Sequence, residues 1–175
     1  MTVAVLKALG AVFVAVLLEL AVFAPLQIGS GSADIVLVTV AVVALLTGSI
    51  VGAIAGFWAG LLLDTVSLGT LGLTSLLLTL VGYWCGRYGE TTARDQAHAP
   101  FLAVAVVTVL AAAGNLLLQF TIGEPTSARW MLFDSLWPQL ILNVILTLPL
   151  YALFRWMFPR RTLIPAVTRE VELLG

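Results

Sequence analysis

Residues 48–64 read GSIVGAIAGFWAGLLLD, with glycine at every fourth position: Gly48, Gly52, Gly56 and Gly60. The next step in that register is Asp64. Four residues turn an α-helix by about 400°, so the glycines form one slowly winding stripe without side chains. In water each glycine weakens a helix by roughly 1 kcal/mol relative to alanine. In lipid the backbone must satisfy its own hydrogen bonds, so the helix persists and the bare stripe admits a second helix at close range. Whether that second helix belongs to the same chain or to a partner stays open at this stage.

The remaining composition agrees with a membrane setting. Of 175 residues, 61% are hydrophobic and 10% charged, with a mean hydropathy of +1.12. Soluble domains carry about 25% charged residues. A net charge of −1 offers no basic patch for nucleic acid. A single cysteine, Cys85, and a single histidine, His98, cannot build a tetrahedral zinc site, and no cofactor or metal is expected. Cys85 reads as a small apolar filler and His98 as a loop residue beside Pro100.

A spanning helix needs about 20 apolar residues. Val3–Ala24 qualifies and ends at Pro25. It reads as a retained helix, because Lys7 is its one positive charge and Glu19 interrupts the apolar run. Asp34 stands as an N-cap before the next apolar stretch. That stretch, Ile35 to Leu63, runs 29 residues without a charge. As one helix it would reach about 43 Å, beyond a hydrocarbon core of about 30 Å. Breaking it at Thr47-Gly48-Ser49 puts Lys7, the Arg87–Ala99 loop and the arginines after the last span on one side, as the positive-inside rule requires. Only Arg129 of the eight basic residues then lies outside. The reading is an all-α, polytopic membrane protein with a six-transmembrane-helix bundle, N-in and C-in. Its transmembrane domain covers 1–159, with spans at about 3–24, 34–46, 49–64, 70–86, 100–122 and 135–158. A short cytoplasmic tail follows at 160–175.

Few polar side chains enter these spans. Asn115 and Gln119 stand four apart on the fifth, and Gln139 and Asn143 four apart on the sixth, so each pair shares a face. At 1.5 Å per residue, Asn115 and Asn143 lie about 10–12 Å from the outer boundary and Glu19 about 7 Å from it. Glu19, Asn115, Gln119, Gln139 and Asn143 read as hydrogen-bonding glue between helices, as a polar pocket opening outward, or as a contact for a partner helix. Asp64 could terminate its span, hold the following turn through backbone hydrogen bonds, or take a direct catalytic or ion-binding role.

The ordered set of Asp34 opening a short apolar span, the glycine helix ending Gly60-Leu61-Leu62-Leu63-Asp64, then Leu68-Gly69-Thr70-Leu71-Gly72-Leu73, Gly82-Tyr83 and Gly86-Arg87 resembles the rod shape-determining protein MreD family. The match is densest over residues 34–87, and Ala33 stands where that family usually has proline. The resemblance implies a fold similar to the S component of energy-coupling-factor transporters. It also implies a non-enzymatic scaffold of the bacterial cell-elongation complex (the elongasome) in the inner membrane, supporting lateral peptidoglycan synthesis and cell shape. Implied partners are MreC, and with it RodA, a class B penicillin-binding protein and MreB. Gly48, Gly52, Gly56, Gly60, Asp64, Gly69 and Gly72 are the candidate helix-packing or partner-contact positions. The alternative is a small-molecule-binding membrane subunit of a transporter. No paired acidic motif, His–carboxylate set or phosphate-cradling loop favours an enzyme.

Overall fold

The structure is a computed structural model and describes residues 2–23, 34–67, 72–91, 99–122 and 136–157. Among these residues there are six α-helices and no strand. They are α1 (Thr2–Leu18), α2 (Ile35–Thr47), α3 (Ser49–Ser67), α4 (Leu73–Thr91), α5 (Ala99–Ile122) and α6 (Leu136–Met157). A π-helical turn, Glu19–Phe23, extends α1. Ser49–Val66 and Leu136–Met157 are each long and apolar enough to cross a membrane.

The long uncharged run is broken at one residue. Gly48 ends α2 with φ +102°, in the left-handed region that glycine tolerates without a Cβ clash. Its N–H bonds back to the Ala44 carbonyl, and α3 starts at the next residue.

Helix α2 is the hub. It packs against all five other helices. Eleven of its thirteen residues are buried, which explains why its sequence is apolar on every side. At about 20 Å it is short for a spanning helix, but it meets protein all round. The core continues through Ala8, Val12 and Val16 of α1, Ala55 and Ala59 of α3, Leu78 and Cys85 of α4, and Val104 and Val107 of α5. Cys85 is a buried free thiol, the apolar filler expected from sequence.

Large apolar side chains also cover much of the exterior of the described helices. Leu6, Leu76, Trp84, Ile145 and Trp156 are all more than half exposed. Thr108, Asn143 and Thr147 are meanwhile fully buried. Water would not tolerate so large an apolar surface, and lipid would.

Candidate functional site

The glycine stripe is filled from within the chain. Helices α3 and α4 run antiparallel and form the most extensive helix pair in the bundle. A Cβ on Gly52 would meet the Gly82 carbonyl and Ala44, one on Gly56 the Leu78 carbonyl, and one on Gly60 the Ser75 backbone. Gly82 and Gly86 of α4 return the contact, facing the backbone of Gly52 and of Ser49. Ser75 Oγ also donates to the Phe57 carbonyl at 2.9 Å. Of the two uses the sequence leaves open, the structure shows the stripe seating a helix of the same chain, so a partner must find another face.

Asp64 holds the next helix by its start. It is buried, at 3% exposure. Its Oδ2 accepts from the Gly72 N–H at 2.8 Å and the Ser75 N–H at 3.3 Å, and Oδ1 accepts from the Thr74 N–H at 3.3 Å. These are orphan donors of α4's first turn, and a carboxylate there also meets the positive end of the helix dipole. Of the three roles open to Asp64, the geometry selects backbone anchoring. Gly72 permits it by adopting φ +95°.

The opposite end of the same helix pair mirrors this arrangement. Glu90, near the end of α4, accepts from the Ser49 N–H at 2.8 Å and from the Ser49 hydroxyl at 3.0 Å. Each helix of the pair therefore carries, near its C-terminus, the carboxylate that caps the other's N-terminus. The Ser49 backbone N–H is the main cause holding the Glu90 carboxyl below its ordinary value of 4.5, with the Ser49 hydroxyl and the Arg87 guanidinium assisting. Arg87 stands 3.5 Å away on the neighbouring turn.

A third carboxylate group gathers at the start of α2. Asp34 is its N-cap, accepting from the Leu37 N–H at 2.7 Å. Glu19, the first residue of the π-helical turn, accepts from the Val36 N–H at 2.8 Å. Asn143 of α6 accepts from the Asp34 N–H at 3.0 Å through Oδ1 and donates through Nδ2 to Thr108 Oγ1 of α5 at 3.1 Å. The Thr108 hydroxyl donates in turn to the Val104 carbonyl. Residues from α1, α5 and α6 thus converge on the entrance of the central helix. Beside it lies a cleft of about 60 Å³ lined by Asp34, Leu37, Leu63, Leu73, Thr74, Leu77, Leu78 and Ala111.

Of the expected polar set, Glu19 and Asn143 come together here. Gln139 lies one turn further along α6, half-buried. Asn115 and Gln119 lie on α5 with side chains outside the described residues, as does Gly69 in the turn before α4. Sequence reading missed Thr108, Ser75 and the reach of Glu90 to Ser49. For Glu90 a signal existed: it continues the four-residue step from Gly82 and Gly86 along α4.

No curated protein and no solved structure matches the chain. A family comparison does match, over residues 2–160, which takes in all six helices. By that coverage the chain belongs to the rod shape-determining protein MreD family, a family of membrane proteins.

Proposed function

We propose that this chain is a non-enzymatic, multi-pass scaffold of the inner membrane, with six spans and both ends cytoplasmic. It binds MreC and supports lateral peptidoglycan synthesis, working with RodA, a class B penicillin-binding protein and MreB. The observation that carries the reading is the family match over residues 2–160, which brings rod shape determination. The geometry supports a holding role. Glu19, Asp34, Asp64 and Glu90 all accept from backbone N–H groups at helix starts, which stiffens the bundle. Membership in the family is also the reason to expect an S-component-like fold.

The test is co-expression with MreC and extraction in mild detergent. MreC is expected to stay with the folded protein through affinity purification. A folded, monodisperse protein that retains no MreC would sink the scaffold reading.

The cleft beside Asp34 is the observation that keeps a second reading, a small-molecule-binding subunit of a transporter. At about 60 Å³ it has room for only a few water molecules. A ligand of that subunit would raise the melting temperature in proportion to the logarithm of its concentration. A broad compound screen without any stabilising hit removes this reading.

A further inference from the structure

The described charges divide between the two ends of the bundle. Lys7 lies near the start of α1, and Arg87 and Arg155 near the ends of α4 and α6. Glu19, Asp34 and Asp64 gather at the opposite end, where the described residues include no lysine or arginine. Glu19 and Asp34 accept from Val36 and Leu37, neighbouring N–H groups of one helix start. A helix start carries about half a positive elementary charge, set here against two carboxylates. Charge withdrawn from water without a counter-charge is unfavourable, so this end favours a cation.

The cleft beside Asp34 narrows the chemistry of that cation. Asp34 Oδ1 is taken by the Leu37 N–H, while no donor among the described residues meets Oδ2. Thr74, on the first turn of α4, lines the same cleft. The hydroxyls of Thr79, Thr91, Thr108 and Thr147 each donate to the carbonyl four residues back. That of Thr74 has no such bond among the described residues. The rest of the lining is leucine and alanine, with Leu37, Leu63, Leu77 and Ala111 on different helices. A hard metal ion takes about six or more oxygen ligands, and two side-chain oxygens fall short of that. A primary ammonium has three N–H donors, which a carboxylate, a hydroxyl and one water satisfy. The volume of about 60 Å³ admits such a tip and no bulkier head, and the leucines suit its methylene stem.

We propose that the cleft binds the tip of a primary alkylammonium, with the Asp34 carboxylate balancing its charge and the Thr74 hydroxyl accepting a second N–H. Two sources share this chemistry: a free amine, and the ethanolamine headgroup of a phospholipid. The inference rests on the second reading only in treating the cleft as a site, and it needs no transport.

The test follows the melting temperature of the purified full chain in detergent. Ethylammonium chloride is compared with tetramethylammonium chloride at equal ionic strength, the second ion having the charge but no N–H and a bulkier head. Ethylammonium is expected to raise the melting temperature with the logarithm of its concentration, and tetramethylammonium to leave it unchanged. Asp34→Asn keeps an N-cap oxygen and removes the charge, so the same stabilisation should need roughly 10-fold more ethylammonium. Thr74→Val should need roughly 3- to 10-fold more. A second arm fixes the source. The chain is reconstituted with equal phosphatidylethanolamine and phosphatidylcholine and extracted again, and the lipid it keeps is read by mass spectrometry. Enrichment of phosphatidylethanolamine that Asp34→Asn loses assigns the headgroup, and equal retention beside stabilisation by ethylammonium assigns the free amine. Equal effects of the two salts, or an undiminished ethylammonium effect in folded Asp34→Asn and Thr74→Val proteins, overturn the inference. Inert ethylammonium without lipid enrichment overturns it as well, the carboxylates then being balanced by a shared proton. In that case a neutral compound that stabilises the chain leaves the second reading standing, and the lack of any stabilising compound removes both.

Discussion

Asp64 accepts from three backbone N–H groups, and each would be left bare in a dry setting if the carboxylate were removed. Leaving buried donors unsatisfied costs about 1–3 kcal/mol. Asp64→Ala should therefore lower the detergent melting temperature clearly, while Asp64→Asn, which keeps one carbonyl acceptor, should lower it less. Equal melting of the wild-type and alanine proteins would show that the cap is idle. Glu90 gives a pH prediction with a definite sign. Its folded pKa lies below the ordinary 4.5, so its contribution is complete above that value and is lost as pH falls through the folded pKa. Partial exposure keeps the effect small. Stability measured from pH 6 to pH 3 should decline less steeply in Glu90→Gln than in the wild type, and parallel curves would discard the assignment. The N-cap role of Asp34 was legible, since a carboxylate directly before an uncharged apolar run is the local signature of a helix start. The bond from Asn143 to Thr108 was not legible, because it joins residues 35 apart on two helices whose rotation no local pattern specifies.

At the scale of elements, the α3–α4 seam makes unequal demands on its glycines. Gly56 faces the Leu78 carbonyl and Gly60 the Ser75 backbone, so an added Cβ meets main chain that cannot turn aside. Gly10 on α1 has nothing within 4 Å of the same construction. Gly56→Ala should destabilise the protein by pushing the helices apart, an overpacking effect of about 1–3 kcal/mol. Gly10→Ala should be neutral or stabilising by up to about 1 kcal/mol from helix propensity. Thermal unfolding of the two variants in one detergent decides the matter, and similar melting temperatures would refute close packing at Gly56. Gly72→Ala is a third case: space is free, but φ is +95°, and left-handed backbone costs a non-glycine residue about 1–2 kcal/mol. The stripe itself was plain in the sequence because its period is four. Its occupant was not, because α4 answers with Ser75, Gly82 and Gly86 separated by large residues. At Gly56 the close approach is made by the main chain of Leu78, a residue whose side chain gives no hint of it.

For the whole molecule, the number of helices and the absence of strands among the described residues follow from physics that the sequence carries openly. Apolar length sets how many segments can form, and the placement of arginine decides that the run from Ile35 to Leu63 is two helices and not one. The direction of the bundle in the membrane rests on the same charges, and it can be read directly. Glu90, Arg87 and Thr91 lie at one end of α4, while Asp64 and Thr65 lie at the opposite end of its antiparallel partner α3. In the proposed orientation, with both termini cytoplasmic, the first group would face the cytoplasm and the second would face outward. In a Cys85→Ala background, which removes the one buried native thiol, Thr65→Cys and Thr91→Cys each place a single thiol at an exposed site. An impermeant maleimide added to intact cells should label position 65, and should reach position 91 only after permeabilisation. The reverse pattern would turn the bundle over and place seven of the eight basic residues outside, an arrangement the positive-inside rule disfavours. It would also move the Glu90–Ser49 cap to the outer face, so labelling at these two sites tests the orientation and the setting of that cap together.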